Sequence, residues 1–395
     1  DWITVTGDGL KPVASALSDR AGPKVQIRTG SVVRLVQGED GSWTITQQPE
    51  VQGAFVSLDP KTGAVRALVG GFDYSENKFN HVTQAWRQPG STLKPFIYSA
   101  ALEKGFTPST VVNDAPVSFD AEATGGQPWE PKNSDGRYDG PMSLRTALAK
   151  SKNMVSIRIL QSIGVPYAQE WLGRFGFDVD KHPQNLTMAL GAGSVTPMQM
   201  ALGYAELANG GYRRNPFLIT KLTDGRGKVL GTYQPPELTE DDRGIEPRNA
   251  FLIDSLLQEV TRSGTAAQAQ ARLKRPDIYG KTGTTNDAVD AWFAGFQPSV
   301  VAVVWIGYDN PRKLGDRESG GGLALPIWLD YMGHTLKGVP VAEVTPPDGV
   351  VNVRGEWYYD EYTLGNGVST LGLDDKPAPA SPDEERKSIL DLFKH

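Results

Sequence analysis

Strand-type residues in this 395-residue chain collect at two distant places, and that separation limits the fold more than any single motif. Two runs lie early, residues 54–58 and 64–69, linked by Asp59-Pro60-Lys61-Thr62-Gly63. Three lie late, residues 278–284, 291–297 and 300–307, the last two turning at Pro298-Ser299. Helical spacing dominates between them. Residues 91–104 carry Leu93, Phe96, Ile97, Ala100 and Ala101 on one face, Pro95 falls in the first turn, where its missing N–H costs little, and Gly105 follows the end. Thr196-Pro197-Met198-Gln199 reads as a capping box, opening a helix that stops at Asn209-Gly210-Gly211. Pro247 opens another helix through about Arg262, ended by Gly264, and a further one is expected over residues 325–336. The expected fold class is therefore α+β: a sheet closed by distant segments, flanked by helices, with a helical subdomain inserted between its halves.

The first 52 residues differ in character. Short β-type runs at 25–28, 32–37 and 43–47, with a Glu39-Asp40-Gly41 turn, suggest part of a small β barrel. The organisation expected is a partial β domain and linker over 1–52, the α+β domain over 53–340 and an extension over 341–395. In that extension residues 375–383 are a Pro-rich linker and residues 384–393 a short amphipathic helix.

Composition removes several functions. With 40 Lys+Arg against 46 Asp+Glu, a net charge of −6, and no basic block, nucleic acid is not an expected partner. No cysteine means no thiol nucleophile, no disulfide and no Cys-ligated metal, which suits an exported protein. The four histidines, His81, His182, His334 and His395, form no HxxxH or HExxH array, so no metal and no other cofactor is expected. The longest apolar run, residues 300–308, is far short of the about 20 residues of a membrane helix. The chain begins at Asp1, and the expectation is a fragment of a longer gene product whose membrane anchor lies upstream.

With histidine scarce and cysteine absent, a nucleophilic serine here needs a lysine as its base. Three patterns supply that chemistry: Ser91-Thr92-Leu93-Lys94, Ser151-Lys152-Asn153 and Lys281-Thr282-Gly283-Thr284. Each is weak alone, and decoys exist. Ser75-Glu76-Asn77-Lys78 fits the first two patterns and Lys61-Thr62-Gly63 the third. Context separates them. Ser75 lies in a polar run with no apolar helix behind it, and Lys61 in a hairpin turn. Ser91 follows Pro89-Gly90 and opens the amphipathic helix, one turn from Lys94 on the same face. Lys281–Thr284 is expected as an edge strand beside a cleft, with Gly283 letting a substrate backbone lie against it. Blander roles compete: Ser91 as a plain helix cap, Ser151 as a helix cap beside a turn asparagine, and the threonines as ordinary strand formers. Lys152 is given no role. Trp129, Asn133 and Tyr138 precede Ser151 in an aromatic, Gly-rich segment and are read as loop packing outside the site.

At these residues the chain resembles the transpeptidase domain of penicillin-binding proteins, in particular the class A, bifunctional kind typed 1A in Gram-negative bacteria. The likeness extends to Val51-Gln52-Gly53-Ala54, Val69-Gly70-Gly71-Phe72-Asp73, Arg87-Gln88-Pro89-Gly90-Ser91 and Lys281-Thr282-Gly283-Thr284-Thr285-Asn286-Asp287, covering roughly residues 51–340. It implies a five-stranded antiparallel sheet shared with serine β-lactamases, preceded by part of an OB-like domain. It implies acyl transfer from a D-Ala-D-Ala stem peptide of peptidoglycan to an amine, at the periplasmic side of the inner membrane, with β-lactams as inhibitors. Ser91 would be the nucleophile, Lys94 its base and Ser151 the proton relay. Asn153 would bind the donor amide, Lys281 orient Ser151, and Thr282 and Thr284 hold the terminal carboxylate beside Gly283. The backbone N–H groups of Ser91 and Thr284 would form the oxyanion hole. Nearer rivals are a D,D-carboxypeptidase and a penicillin-sensing receptor domain without turnover. A β-lactamase would need a glutamate-held water, and no glutamate can be given that role.

Overall fold

The computed structural model describes residues 2–374 except Gly125 and Leu364. The linker and helix expected over 375–393 lie outside the described residues. The chain divides into two units, residues 1–52 and 53–395. The first holds one antiparallel hairpin, Arg34–Gln37 with Trp43–Thr46, turned by Asp40, whose carboxylate accepts the Ser42 N–H. It has less β-structure than expected. Residues 25–28 form no strand, because the Val25 and Gln26 N–H groups turn back to the Gly22 carbonyl, and Gly7–Val13 is a 3-10 helix.

The second unit runs β1 (Gln52–Leu58), β2 (Val65–Val69), a 3-10 turn (Gly90–Leu93), α1 (Lys94–Glu103), β3 (Val111–Asp114), β4 (Gly140–Ser143), α2 (Leu144–Ala149), α3 (Asn153–Ile163), α4 (Pro197–Ala208), α5 (Pro247–Arg262), β5 (Tyr279–Thr284), β6 (Asp290–Gln297), β7 (Val300–Gly307), α6 (Leu325–Thr335) and β8 (Thr370–Leu371), with smaller elements between. The main sheet has the order β2-β1-β7-β6-β5. Early and late strands meet at β1 and β7, as their separation in the sequence predicts, and β5 is an edge. The capping box opening α4 forms: Thr196 Oγ1 accepts the Gln199 N–H at 3.1 Å. The single helix expected from Ser91 is instead a 3-10 turn leading into α1.

β6 is buried throughout, as a central strand covered on both faces must be. Adjacent residues point to opposite faces. Phe293 meets Trp328 of α6 edge-on at 4.9 Å, while Trp292, on the other face, donates its indole N–H to the Gln88 carbonyl at 2.8 Å. Each such fully buried large side chain stabilises the fold by about 1.5–3 kcal/mol. The same strand starts a clamp on the chain entering the 3-10 turn. Asp290 accepts both Arg87 Nε at 2.7 Å and Trp305 Nε1 at 2.9 Å.

Residues 341–374, expected as a separate extension, are hydrogen-bonded into the second unit. β8 pairs in parallel with β3, which also pairs with β4, and Arg145 of α2 forms a two-pronged ion pair with Glu356.

Candidate active site

The turn carrying Ser91 is held against β5 by contacts that leave no room for side chains. Gly90 has φ +54°, and a Cβ there would lie 2.8 Å from the Thr284 carbonyl oxygen. A Cβ on Gly283 would meet Thr92 Cγ2 at 2.7 Å and the Pro89 oxygen at 2.8 Å. This corrects the reason given for Gly283: the space is taken by the serine's own turn, so the missing side chain serves internal packing. Thr92 Oγ1 donates to the Pro89 carbonyl and Tyr204 of α4 donates to the Thr92 carbonyl, which closes the turn.

Ser151 occupies a strained backbone position. The Ser151 N–H returns to the Leu148 carbonyl and the Lys152 N–H to the Ala147 carbonyl. These two bonds close the end of α2 as a Schellman motif with Ser151 at the left-handed residue, φ +56°. Glycine is the residue that suits this backbone, and a serine there costs about 1–2 kcal/mol. Its carbonyl and hydroxyl both face lysine amines. Lys94 Nζ donates to the Ser151 carbonyl at 2.8 Å and lies 3.3 Å from its Oγ, and Lys281 Nζ is 2.9 Å from the same Oγ.

Both amines are wholly buried. Burial first, and the neighbouring Lys281 second, hold Lys94 well below the ordinary lysine range, while Asp114 opposes them. Burial alone brings Lys281 down to about 7. Besides the Ser151 carbonyl, Lys94 Nζ has a second acceptor, Asn153 Oδ1 at 2.7 Å. The Asn153 amide is fixed in that sense because its Nδ2 donates to the Lys132 carbonyl at 2.8 Å. A neutral amine whose two hydrogens are taken by two acceptors keeps its lone pair along the remaining tetrahedral direction. Among the described residues the Ser91 hydroxyl makes no hydrogen bond, so the contact expected from the one-turn spacing to Lys94 is not formed. Stronger acceptors at Ser151 and Asn153 hold the amine instead.

Ser91, Ser151, Asn153, Thr282 and Thr284 line one cleft of about 860 Å³, with Lys94 and Lys281 behind its wall. The Thr282 hydroxyl is 2.7 Å from that of Thr265, and Thr284 Oγ1 accepts the Gly320 N–H at 3.0 Å. Three residues in or behind this wall were not read from the sequence. Thr265 lies just after the glycine ending α5, a position whose only signal was that stop. Asn133, set aside as loop packing, lines the cleft, and its Oδ1 accepts the N–H groups of Asn153 and Met154 that open α3. Lys152 is buried against carboxylates. Trp129 does pack its loop, stacked on Phe119. The decoys stay outside: the Ser75 hydroxyl is tied to Asp73, and Lys61 lies in a turn capped by Asp59. Among the described residues no three His, Asp or Glu side chains are grouped to hold a metal.

The family model for the penicillin binding protein transpeptidase domain matches residues 53–332. Penicillin-binding protein 1A of Neisseria flavescens is 50% identical over 384 residues, 96% of this chain and 48% of that protein. The Pseudomonas aeruginosa protein of the same name is 40% identical over 402 residues, 89% of this chain and 49% of that one. The chain thus spans about half the length of these curated relatives. Among solved structures, penicillin-binding protein 1A from Haemophilus influenzae superposes with a TM-score of 0.79 at 37% identity, covering 85% of this chain and 57% of that one. The PonA1 protein of Mycobacterium tuberculosis in complex with penicillin V superposes with a TM-score of 0.63 at 26% identity, covering 84% and 85%. With a family match over most of its length and up to half of its aligned residues identical to these proteins, the chain belongs to the penicillin-binding protein transpeptidase family, alongside the 1A proteins of Gram-negative bacteria.

Proposed function

We propose that this chain carries the acyl-transfer site of a peptidoglycan D,D-transpeptidase, working through an acyl-enzyme on Ser91. One observation carries the reading: a serine hydroxyl, Ser151, lies between two buried lysine amines in the same cleft as Ser91. Lys94, kept neutral by burial and by Lys281, takes the Ser91 proton as the oxygen attacks the carbonyl of the penultimate D-alanine. The backbone N–H groups of Ser91 and Thr284 receive the negative charge that develops on that carbonyl oxygen. The peptide C–N bond then breaks, and the proton passes from Lys94 through Ser151 to the departing amine of the terminal D-alanine. An amine of a second stem peptide attacks the ester, loses its proton to the same relay, and frees Ser91. Thr282 and Thr284 offer hydroxyls to the substrate's terminal carboxylate beside Lys281. Asn153 keeps its proposed place beside the donor amide, with the difference that its oxygen is committed to Lys94. A β-lactam presents a strained amide to the same serine, which fits the penicillin V complex of the PonA1 relative.

The whole protein is placed at the periplasmic face of the inner membrane in this reading. No helix among the described residues is long and apolar enough to cross a membrane, so the anchor belongs outside them.

Incubation with a penicillin, followed by intact mass measurement and mapping of the adduct, tests the proposal. A stable adduct of one drug molecule on Ser91, absent in Ser91→Ala, is expected. Acylation surviving in Ser91→Ala refutes the assignment, and rapid release of hydrolysed drug points to a β-lactamase. With a stem-peptide donor, release of D-alanine without incorporation of an added amine favours the carboxypeptidase, and acylation without any peptide turnover favours a receptor domain.

A further inference from the structure

Lys152 is buried among three carboxylates, Asp135 at 2.9 Å, Asp139 at 3.2 Å and Asp114 at 3.4 Å. Asp135 and Asp139 line the cleft, whereas Asp114 ends β3 with no exposed surface. A buried carboxylate needs partners that satisfy it, and these are specific. Asp114 Oδ1 accepts Asn133 Nδ2 at 2.7 Å, and Oδ2 accepts the Asp139 N–H at 2.9 Å.

The Asn133 amide also donates to the Arg137 carbonyl at 2.7 Å. With its nitrogen committed to two acceptors, its oxygen must face the N–H groups of Asn153 and Met154, donors that have no partner within α3. Asn153, so placed, presents Oδ1 to Lys94. A continuous path therefore runs from Asp114 through Asn133 and the first turn of α3 to the Lys94 amine, each hydrogen bond along it being 2.7 or 2.8 Å. Without an acceptor at position 114, the Asn133 amide nitrogen keeps only the Arg137 carbonyl to hold its orientation.

We propose that Asp114 is a positioning residue for Lys94: by orienting the Asn133 amide it fixes the first turn of α3, and with it the Asn153 oxygen that aims the Lys94 lone pair. The inference rests on Lys94 being the base for Ser91. Lys152 is the counter-ion that makes a buried Asp114 tolerable.

The test compares wild type, Asp114→Asn and Asn133→Ala with a fluorescent penicillin. Maximal acylation rate and dissociation constant of the pre-acylation complex are resolved at about pH 5 to 10, beside thermal melting. Asparagine at 114 cannot accept from both Asn133 Nδ2 and the Asp139 N–H, since its own NH2 must face one of these donors. Both variants are expected to lose about tenfold or more in maximal rate while the dissociation constant stays within about twofold. The charged groups acting on Lys94 are Lys281 from β5 and Asp114 from β3. Asp114→Asn should also move the acidic limb of the rate profile to lower pH, because it removes the charge that favours protonated Lys94. Asn133→Ala keeps that charge and should leave the limb in place. Folded variants with wild-type rate and limb, and only a lowered melting temperature, would overturn the proposal. If Asp114→Asn does not fold, the split between rate and dissociation constant in Asn133→Ala decides alone. Loss of the parent reading is distinguishable, since wild type itself would then either escape acylation or remain acylated after Ser91→Ala.

Discussion

Lys94 and Lys281 are lysines the fold holds where charge is unwelcome, and each has a cost that depends on pH. Lys281 titrates at about 7 in the folded chain, against about 10.4 for a free lysine. Between those values the unfolded chain binds more protons than the folded one, so this residue's contribution to stability rises with pH. Below about pH 7 its penalty is complete, and above about pH 10.4 it is gone. Lys281→Met should therefore gain most over wild type at pH 7, and lose a few kcal/mol of that relative gain by pH 10, measured by urea denaturation. The same substitution takes a positive neighbour from Lys94, so the acidic limb of acylation should move to higher pH. Both lysines were legible in the sequence because scarce histidine and absent cysteine left lysine as the available base. Thr265, Asn133 and Lys152 were not, since their roles arise from contacts across the fold, and no local pattern marks a threonine or asparagine that meets a partner made elsewhere.

Among the elements, the junction of α2 and α3 places backbone strain inside the cleft. Its left-handed residue is a serine where glycine would relax the backbone. Ser151→Gly and Ser151→Ala both delete the hydroxyl between the lysines, and both should lower acylation by about a hundredfold or more. They should differ in stability, the glycine variant being about 1 kcal/mol more stable than the alanine variant in thermal or urea unfolding. Equal stabilities would mean that the backbone at this position carries no strain. The sequence located both helices' residues near Ser151 only as a cap and a turn. Asn153 is in fact the first residue of α3, and the turn belongs to Ser151. Elements with strong punctuation were legible nearly to the residue: the α4 capping box, Pro247 opening α5, and β7. Residues 25–28 carry a strand-like composition but turn at Gly22, where local hydrogen bonds outweigh propensity.

At the scale of the whole molecule, the main sheet could be foreseen from the two clusters of strand-type runs, because central strands must be continuously apolar. The fate of residues 341–374 could not, since polar Gly/Pro-rich segments look alike whether they hang free or pack. Here they support the strand that ends in Asp114, where the Ser369 carbonyl accepts the Val111 N–H at 2.9 Å and the Val368 carbonyl the Thr110 hydroxyl at 2.6 Å, and they hold the end of α1, where Tyr359 donates to Glu103 at 2.7 Å. A chain ending at residue 340 should melt roughly 5–10 °C lower, reflecting several kcal/mol. It should also acylate more slowly at temperatures where it remains folded. A chain so shortened that melts and acylates like the full one would show these contacts to be incidental.

The glycine contacts at positions 90 and 283 have a further consequence. Because the serine's turn touches the backbone of β5 directly, the span from nucleophile to the two threonine hydroxyls works as a rigid ruler with no adjustable joint. If those hydroxyls grip the carboxylate, a donor whose last residue is one methylene longer, such as a terminal β-alanine, arrives with its carbonyl misaligned and is refused by length alone.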